Sequence, residues 1–183
     1  MNKTVIIING KSGVGKDTLC NIVTNSKRHI AYNCSSIDPI KKIAKRLGWE
    51  ENDKSDKAKK FLADLKSVSY AFNDYVLECL LEKYRVEFMP VYGYDVMFVH
   101  IKEPEQIAKF KAMIPNCKTL LVKSNRVEPG FDSEVDDDVE NYDYDYVYHN
   151  DKPLDEVADD FMKFFEGQIL GGGSKTLADT PTF

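Results

Sequence analysis

No apolar run in this chain approaches the roughly 20 consecutive residues that a bilayer-spanning helix needs. No signal-peptide pattern opens it either: Lys3 leads at once into a short apolar strand and a glycine-rich turn. Cysteine is sparse and scattered, at Cys20, Cys34, Cys79 and Cys117, with no short metal-ligand spacing. Such thiols read as reduced and mostly buried in a cytosolic protein. Positive charge is in deficit, with 25 Lys and Arg against 30 Asp and Glu and a net charge of −5. That balance argues against broad binding to nucleic acid or to an anionic membrane. Arginine is scarcer still, since only Arg85 and Arg126 occur beyond residue 46. There is no internal repeat. What is present is a chain of 183 residues, 43% hydrophobic, which suits one domain with a sizeable core.

The most informative stretch runs from Thr4 to Cys20, TVIIINGKSGVGKDTLC. An apolar run, Val5-Ile6-Ile7-Ile8, precedes the turn Gly10-Lys11-Ser12-Gly13-Val14-Gly15, and Lys16-Asp17-Thr18 opens a helix. This is nearly the phosphate-binding pattern G-x-x-x-x-G-K-[ST], with Asp17 standing where Ser or Thr is usual. Gly13 and Gly15 permit turns that a Cβ would obstruct, so successive backbone N–H groups can wrap an anion. The helix that follows aims its N-terminal N–H groups and positive dipole end at the same place. Lys16 adds a mobile full charge that can follow the β- and γ-phosphates. A structural strand-to-helix turn would leave Lys16 without a reason. Gly10, Ser12, Gly13, Val14, Gly15, Lys16, Asp17 and Thr18 are therefore the expected nucleotide-binding residues.

Along the rest of the chain, strands alternate with helices. Residues 3–9 read as a central strand, and 16–26 as a helix with Leu19, Ile22 and Val23 inward. A short strand follows at 30–34. Ser35-Ser36-Ile37-Asp38-Pro39 reads as a turn in which Asp38 caps and Pro39 starts a helix. That helix carries Ile40, Ile43, Ala44 and Leu47 inward and stops at Gly48. From Asp56 to about Tyr84 the pattern is helical, as one helix or as two broken near Asn73. Phe61, Leu65, Val68 and Phe72 share a stripe that Val76, Leu77, Leu80 and Leu81 continue. The basic face of Lys57, Lys59, Lys60 and Lys66 has two readings, a solvated face or the lining for an anionic second substrate.

The third strand is expected at 94–101, a helix from Pro104 with Ile107, Phe110 and Ile114 inward, and the fourth strand at 118–123. Residues 124–143 look irregular, with a turn at Pro129-Gly130, and eight carboxylates lie between Asp132 and Asp145. Such a run reads as a solvated loop. The fifth strand, about 145–149, leads through Asn150-Asp151-Lys152-Pro153 to a last helix with Leu154, Val157, Phe161, Phe164 and Phe165 inward. Gly171-Gly172-Gly173-Ser174 reads as a flexible linker and Lys175–Phe183 has no packing pattern, so 169–183 is set apart from a domain at 1–168. Five strands alternating with helices imply an α/β fold, a three-layer sandwich with a parallel sheet covered on both faces. Ligands in such sheets sit beyond the carboxyl ends of the strands. The turn after Asn9, the Ser35–Asp38 turn, His100–Glu103 and Lys123–Arg126 then surround one crevice.

Four segments together resemble the P-loop nucleoside monophosphate kinases, most of all the phage-type deoxynucleoside monophosphate kinases. They are Gly13-Val14-Gly15-Lys16-Asp17-Thr18, Asp38-Pro39-Ile40-Lys41, Val99-His100-Ile101-Lys102-Glu103-Pro104 and Tyr144-Asp145-Tyr146-Val147-Tyr148-His149-Asn150. GKDT is the specific element. The resemblance implies a sheet ordered 2-3-1-4-5, ATP with Mg2+ as donor, an acceptor region at about 35–90 and a lid at about 124–143. It implies small-molecule nucleotides as partners, a monomer or homodimer, and the cytoplasm as the location, that of the host if phage-encoded.

Lys16, Lys102 and Arg126 would stabilise the transferring phosphoryl group. Ser36, Asp38, Lys66, His100 and Lys123 would face the acceptor, although a lone strand-end histidine such as His100 is also a common structural residue. The chain departs from the family where it has His100 and Lys102 in place of the Asp and Arg often found near the third strand's end, and in an acidic lid segment usually rich in arginine. Lysine offers a point charge rather than a bidentate fork. With no acidic residue at that strand end, Asp17 is expected to hold Mg2+, and Thr18 to contact the α-phosphate. Two other readings stay open: a nucleotide-binding sensor with little transfer activity, and a kinase of a non-nucleotide phosphate ester such as phosphomevalonate.

Overall fold

The structure is a computed structural model that describes residues 3–91, 93–126 and 138–171. The Pro129-Gly130 turn, the first half of the acidic run up to Asp137 and the chain from 172 onward lie outside the described residues. Five strands form one parallel sheet: β1 (Thr4–Asn9), β2 (Ala31–Ser35), β3 (Val96–His100), β4 (Lys118–Lys123) and β5 (Tyr146–His149). Their spatial order is β2-β3-β1-β4-β5, so β1 is central as its unbroken apolar run requires.

Because side chains alternate along a strand, β1 divides its residues between two cores. Val5 and Ile7 join Met97 and Val99 of β3 on one face, under α4 (Tyr75–Glu82) and α5 (Pro104–Met113), with Leu77, Leu80, Ile107 and Phe110. Ile6 and Ile8 join Val96 and Phe98 on the other, under α1 (Lys16–Asn25) and α6 (Val157–Phe164), with Leu19, Val23, Phe161 and Phe165. The last helix widens into a π-helical turn, Phe165–Leu170.

The helical segment after Ser55 breaks in two. α3 (Asp56–Phe72) ends where Asn73 turns extended, at φ −164°, and the Asn73 Oδ1 accepts from Tyr75 N at 3.0 Å. The expected inward stripe of α3 is corrected in part: Val68 is 65% exposed and Phe72 84%. α3 does not lie on the sheet. It packs on α2 (Asp38–Arg46) through a small satellite core of Ala44, Trp49, Ala58, Phe61, Leu62 and Leu65. Leu47 and Leu154, also expected inward, are exposed. Leu47 follows the last turn of α2, and Leu154 precedes α6, which starts only at Val157. Gly48 does stop α2, with φ +91°.

Registers align the strand ends. Ile8 and Ser35 both pair with His100, so β1, β2 and β3 finish level and their following turns meet at one edge. On the other side of β1, Asp145 ties the start of β5 to β4. It accepts from Lys111 Nζ at 2.6 Å, Thr119 N at 2.9 Å and Thr119 Oγ1 at 3.0 Å. Burial works to raise the Asp145 carboxyl, but these bonds outweigh it and hold the group below its ordinary value. A depressed native value stabilises the fold above the unfolded carboxyl range and is lost as pH falls through it. Melting temperature is expected to fall below about pH 4, and to fall less steeply in Asp145→Asn. A parallel acid profile in the variant would show that Asp145 contributes nothing to it.

Candidate functional site

At the carboxyl edge of the sheet the turn after β1 takes backbone angles suited to glycine. φ is +146° at Gly10, +79° at Gly13 and +93° at Gly15. A Cβ on Gly10 would sit 2.3 Å from the Val122 carbonyl oxygen, and one on Gly15 would sit 2.5 Å from Asn150 Nδ2. The loop is anchored from outside as well. Asn9, almost fully buried, accepts from Gly10 N at 2.8 Å. Its Nδ2 donates to Tyr144 Oη at 2.7 Å and to the Lys102 carbonyl at 3.1 Å. Asn150 Nδ2 donates to the Val14 carbonyl at 2.8 Å, and Val14 itself is buried in the core. Lys16 Nζ folds back over the loop, donating to Gly10 O at 2.5 Å and Lys11 O at 2.7 Å. A cradle of this shape at a helix N-terminus, with a lysine across its mouth, suits a polyphosphate.

A cleft of about 780 Å3 opens beside this loop. It brings together Lys16 and Asp17, the β2 turn with Ser36 and Ile37, the β3 end with His100, Lys102 and Glu103, and α3 with Leu62, Lys66 and Tyr70. Of the residues singled out in the sequence, Lys16, Asp17, Ser36, Lys66, His100 and Lys102 thus share one lining. Asp38 is not part of that lining: its carboxylate turns back to accept from Ser35 N at 2.8 Å and pairs with Lys83 Nζ at 2.9 Å. Nor does it cap α2, which begins at Asp38 itself with Ile37 before it. Lys123 is paired with Glu140 at 2.6 Å, outside the lining. Arg126 Nη2 donates to the Asn150 carbonyl at 2.6 Å, also outside the lining. Thr18 lines a separate groove of about 590 Å3 between α1 and α6.

Two groups in the cleft are electrostatically distinct. His100 stands 4.0 Å from Asp17 Oδ1 through Nδ1 and 3.9 Å from Cys20 Sγ through Nε2. Burial holds its imidazole below the usual value despite the pull of Asp17, so it is neutral at pH 7. Lys66, with 12% of its side chain exposed, pairs with Glu103 at 2.7 Å. Burial holds Lys66 below the ordinary lysine range, while burial and the nearby Glu103 charge push the Tyr70 phenol up. Burial also pushes the Cys20 thiol up, which leaves it an inert core group. Asp17 is 92% exposed, so its carboxylate is open to a cation. Among the described residues no group of three or more His, Cys, Asp or Glu is disposed to hold a metal, and no helix is long and apolar enough to cross a membrane.

Sequence reasoning set His100–Glu103 at the crevice but passed over Asn9 as an anchor, Asn150 as the clamp on Val14, and Tyr70. Asn9 offered one signal, a lone amide closing an apolar strand against a glycine.

No protein-family model matches this chain, and no curated protein matches it. Solved structures do. A shikimate kinase from Aquifex aeolicus vf5 aligns over 92% of this chain and 100% of its own, at 18% identity and a TM-score of 0.52. An unliganded sugar kinase from Janibacter sp. HTCC2649 aligns over 93% and 98%, at 12% identity and a TM-score of 0.51. Identities this low carry the architecture alone: the chain has the P-loop kinase fold, with the strand order expected for it. The phage-type resemblance remains one of sequence motifs.

Proposed function

We propose that this chain is a phosphotransferase that moves the γ-phosphoryl group of ATP, bound with Mg2+, to a (deoxy)nucleoside monophosphate. The supporting observation is the single cleft that joins Lys16 and Asp17 of the phosphate loop to Lys102 and to an apolar wall of Ile37, Leu62, Ala63 and Tyr70. A planar base matches such a wall, whereas a polyhydroxylated acid would leave its hydroxyls facing carbon. A phosphate oxygen of the acceptor attacks the γ-phosphorus, the bond to the β-bridging oxygen breaks, and ADP departs with that electron pair. An acceptor phosphate is already ionised at neutral pH, so no general base is needed and positioning and cationic charge are what the protein supplies.

Mg2+ is usually held by one or two carboxylates together with substrate phosphates. Asp17, exposed at the cleft mouth, fits that role, and the ion would supply charge neutralisation between the phosphates. Asp17→Ser is expected to raise the Mg2+ concentration for half-maximal activity about tenfold, read from ADP formation across a Mg2+ titration. An unchanged Mg2+ dependence would rule out Asp17 as the ligand.

The sensor reading is favoured by one observation, that no arginine lines the cleft among the described residues. A panel of nucleoside and deoxynucleoside monophosphates with ATP and Mg2+, followed by ADP formation, separates the two. Acceptor-dependent ADP supports the kinase. Tight ATP binding without it supports the sensor. Adding phosphomevalonate to the panel tests the non-nucleotide ester.

A further inference from the structure

The least expected feature of the cleft is a half-buried ion pair within its lining. Lys66 comes from α3 and Glu103 from the turn before α5, and they meet at 2.7 Å with 12% and 27% of their side chains exposed. The other carboxylate oxygen, Glu103 Oε2, is enclosed and has no hydrogen-bond partner among the described residues. A buried polar atom left without a partner is uncommon and points to a missing donor. Tyr70 contributes an aromatic face beside the pair, with Lys66 Nζ 5.7 Å from its ring centre. Leu62 and Ile37 complete an apolar slot.

A basic residue facing an acceptor phosphate is the simplest role for Lys66, but Glu103 argues against it. The lysine charge is already neutralised, and a phosphate brought against the pair would meet a carboxylate. Lys102 differs. Its backbone is held by Asn9 beside the phosphate loop, on the side where transfer must occur. The two ends of the cleft therefore differ, one at the phosphate loop and the other a donor next to an acceptor.

We infer that Lys66 and Glu103 form the subsite that reads the acceptor's nucleobase, while the acceptor phosphate lies at the Lys102 end. The edge of the base inserts between the two charges. Lys66 donates to an exocyclic carbonyl oxygen or a ring nitrogen, Glu103 accepts from the adjacent N–H, and the ring lies against Tyr70. The Lys66 ammonium moves from the carboxylate to the base, and the base N–H takes its place on Glu103. A site built to hydrogen-bond a substrate group rejects analogues without that group, because its own buried atoms are then left unpaired. The acceptor class is thus one with a planar edge carrying neighbouring donor and acceptor atoms.

This inference rests on the kinase reading for its assay and is separable from it. The full chain and Glu103→Gln are compared with ATP and Mg2+ on the nucleoside monophosphates the wild type accepts and on 5-phosphodeoxyribose, which has no base. The ratio of kcat/KM for nucleotide over sugar phosphate is expected to fall about tenfold in the variant, through KM, since hydrogen bonds to charged groups are worth about that factor or more. An unchanged ratio overturns the proposal, as does an equal loss on both acceptors, which would mark a structural role. A second variant, Lys66→Gln with Glu103→Gln, keeps an uncharged donor and acceptor and is expected to recover part of the ratio. If the wild type phosphorylates no acceptor, the kinase reading fails and calorimetry with free nucleosides decides instead. Base-dependent binding that Glu103→Gln weakens supports the subsite, and no base-dependent binding by the wild type overturns it.

Discussion

Replacing Lys16 by alanine is expected to lower kcat roughly 10²- to 10³-fold, the range found when one charge-stabilising donor is removed from a transition state. The reason lies in what the ammonium can reach. It is held over the loop by the Gly10 and Lys11 carbonyls, at 2.5 and 2.7 Å, on a four-carbon stem that lets it leave them for phosphate oxygens. Charge builds on those oxygens as the γ-phosphoryl group moves, so the contact is stronger in the transition state than in the ground state. No arginine lines the cleft among the described residues, so the other cations there are lysines. Lys16→Arg is expected to recover little, since a planar fork cannot occupy a place made for a compact ammonium. Losing two bonds to carbonyls at a part-exposed site should cost about 1 kcal/mol of stability, so the melting temperature should drop by only a few degrees. Initial rates of ADP release and a thermal melt read the two effects separately. A kcat within threefold of wild type would remove Lys16 from the chemistry.

The fold was legible where one physical requirement dominates a segment. An uninterrupted Val5–Ile8 run suits a strand covered on both faces, and it lies at the centre of the sheet. Gly48 ends a helix because the chain must turn left-handed there. Legibility failed where a pattern states periodicity but not orientation. Val68 and Phe72 repeat at helical spacing just as Leu77 and Leu81 do, yet α3 stands off the sheet and leaves them exposed. Nothing local to α3 records that distance. Within the site, the loop was readable because glycine spacing and Lys16 are contiguous. The cleft was readable only in part. Lys66 and Glu103 are far apart in the chain, and either alone is an ordinary surface charge. Asp38 followed the rule for a cap residue before proline, but Lys83 and the Ser35 amide hold its carboxylate elsewhere. Long-range pairings of this kind decide what a charged side chain does, and spacing along the chain does not encode them.

Gly10→Ala should be the most damaging small substitution in the chain, and Gly48→Ala is its control. Both glycines have positive φ, +146° and +91°, so an L side chain is strained at each. That strain costs about 1–3 kcal/mol. The surroundings differ. A Cβ on Gly48 meets nothing within 4 Å, whereas one on Gly10 lands 2.3 Å from the Val122 carbonyl oxygen of β4. Backbone in the middle of a sheet cannot step aside as a side-chain end can, and overpacking of this kind adds roughly 1–3 kcal/mol. Gly10→Ala is thus expected to lose about 2–6 kcal/mol, about 4–24 °C in melting temperature for a chain of this length, against a few degrees for Gly48→Ala. The functional consequence should be sharper than the thermal one. If Gly10 can relieve the clash only by drawing away from β4, the amide that Asn9 Oδ1 holds at 2.8 Å moves with it and the cradle loses its shape. ATP binding by calorimetry should then vanish in Gly10→Ala at a temperature where the variant is still folded, and persist in Gly48→Ala. A Gly10→Ala protein that melts within two degrees of wild type and still binds ATP would mean that the loop does not depend on its contact with β4.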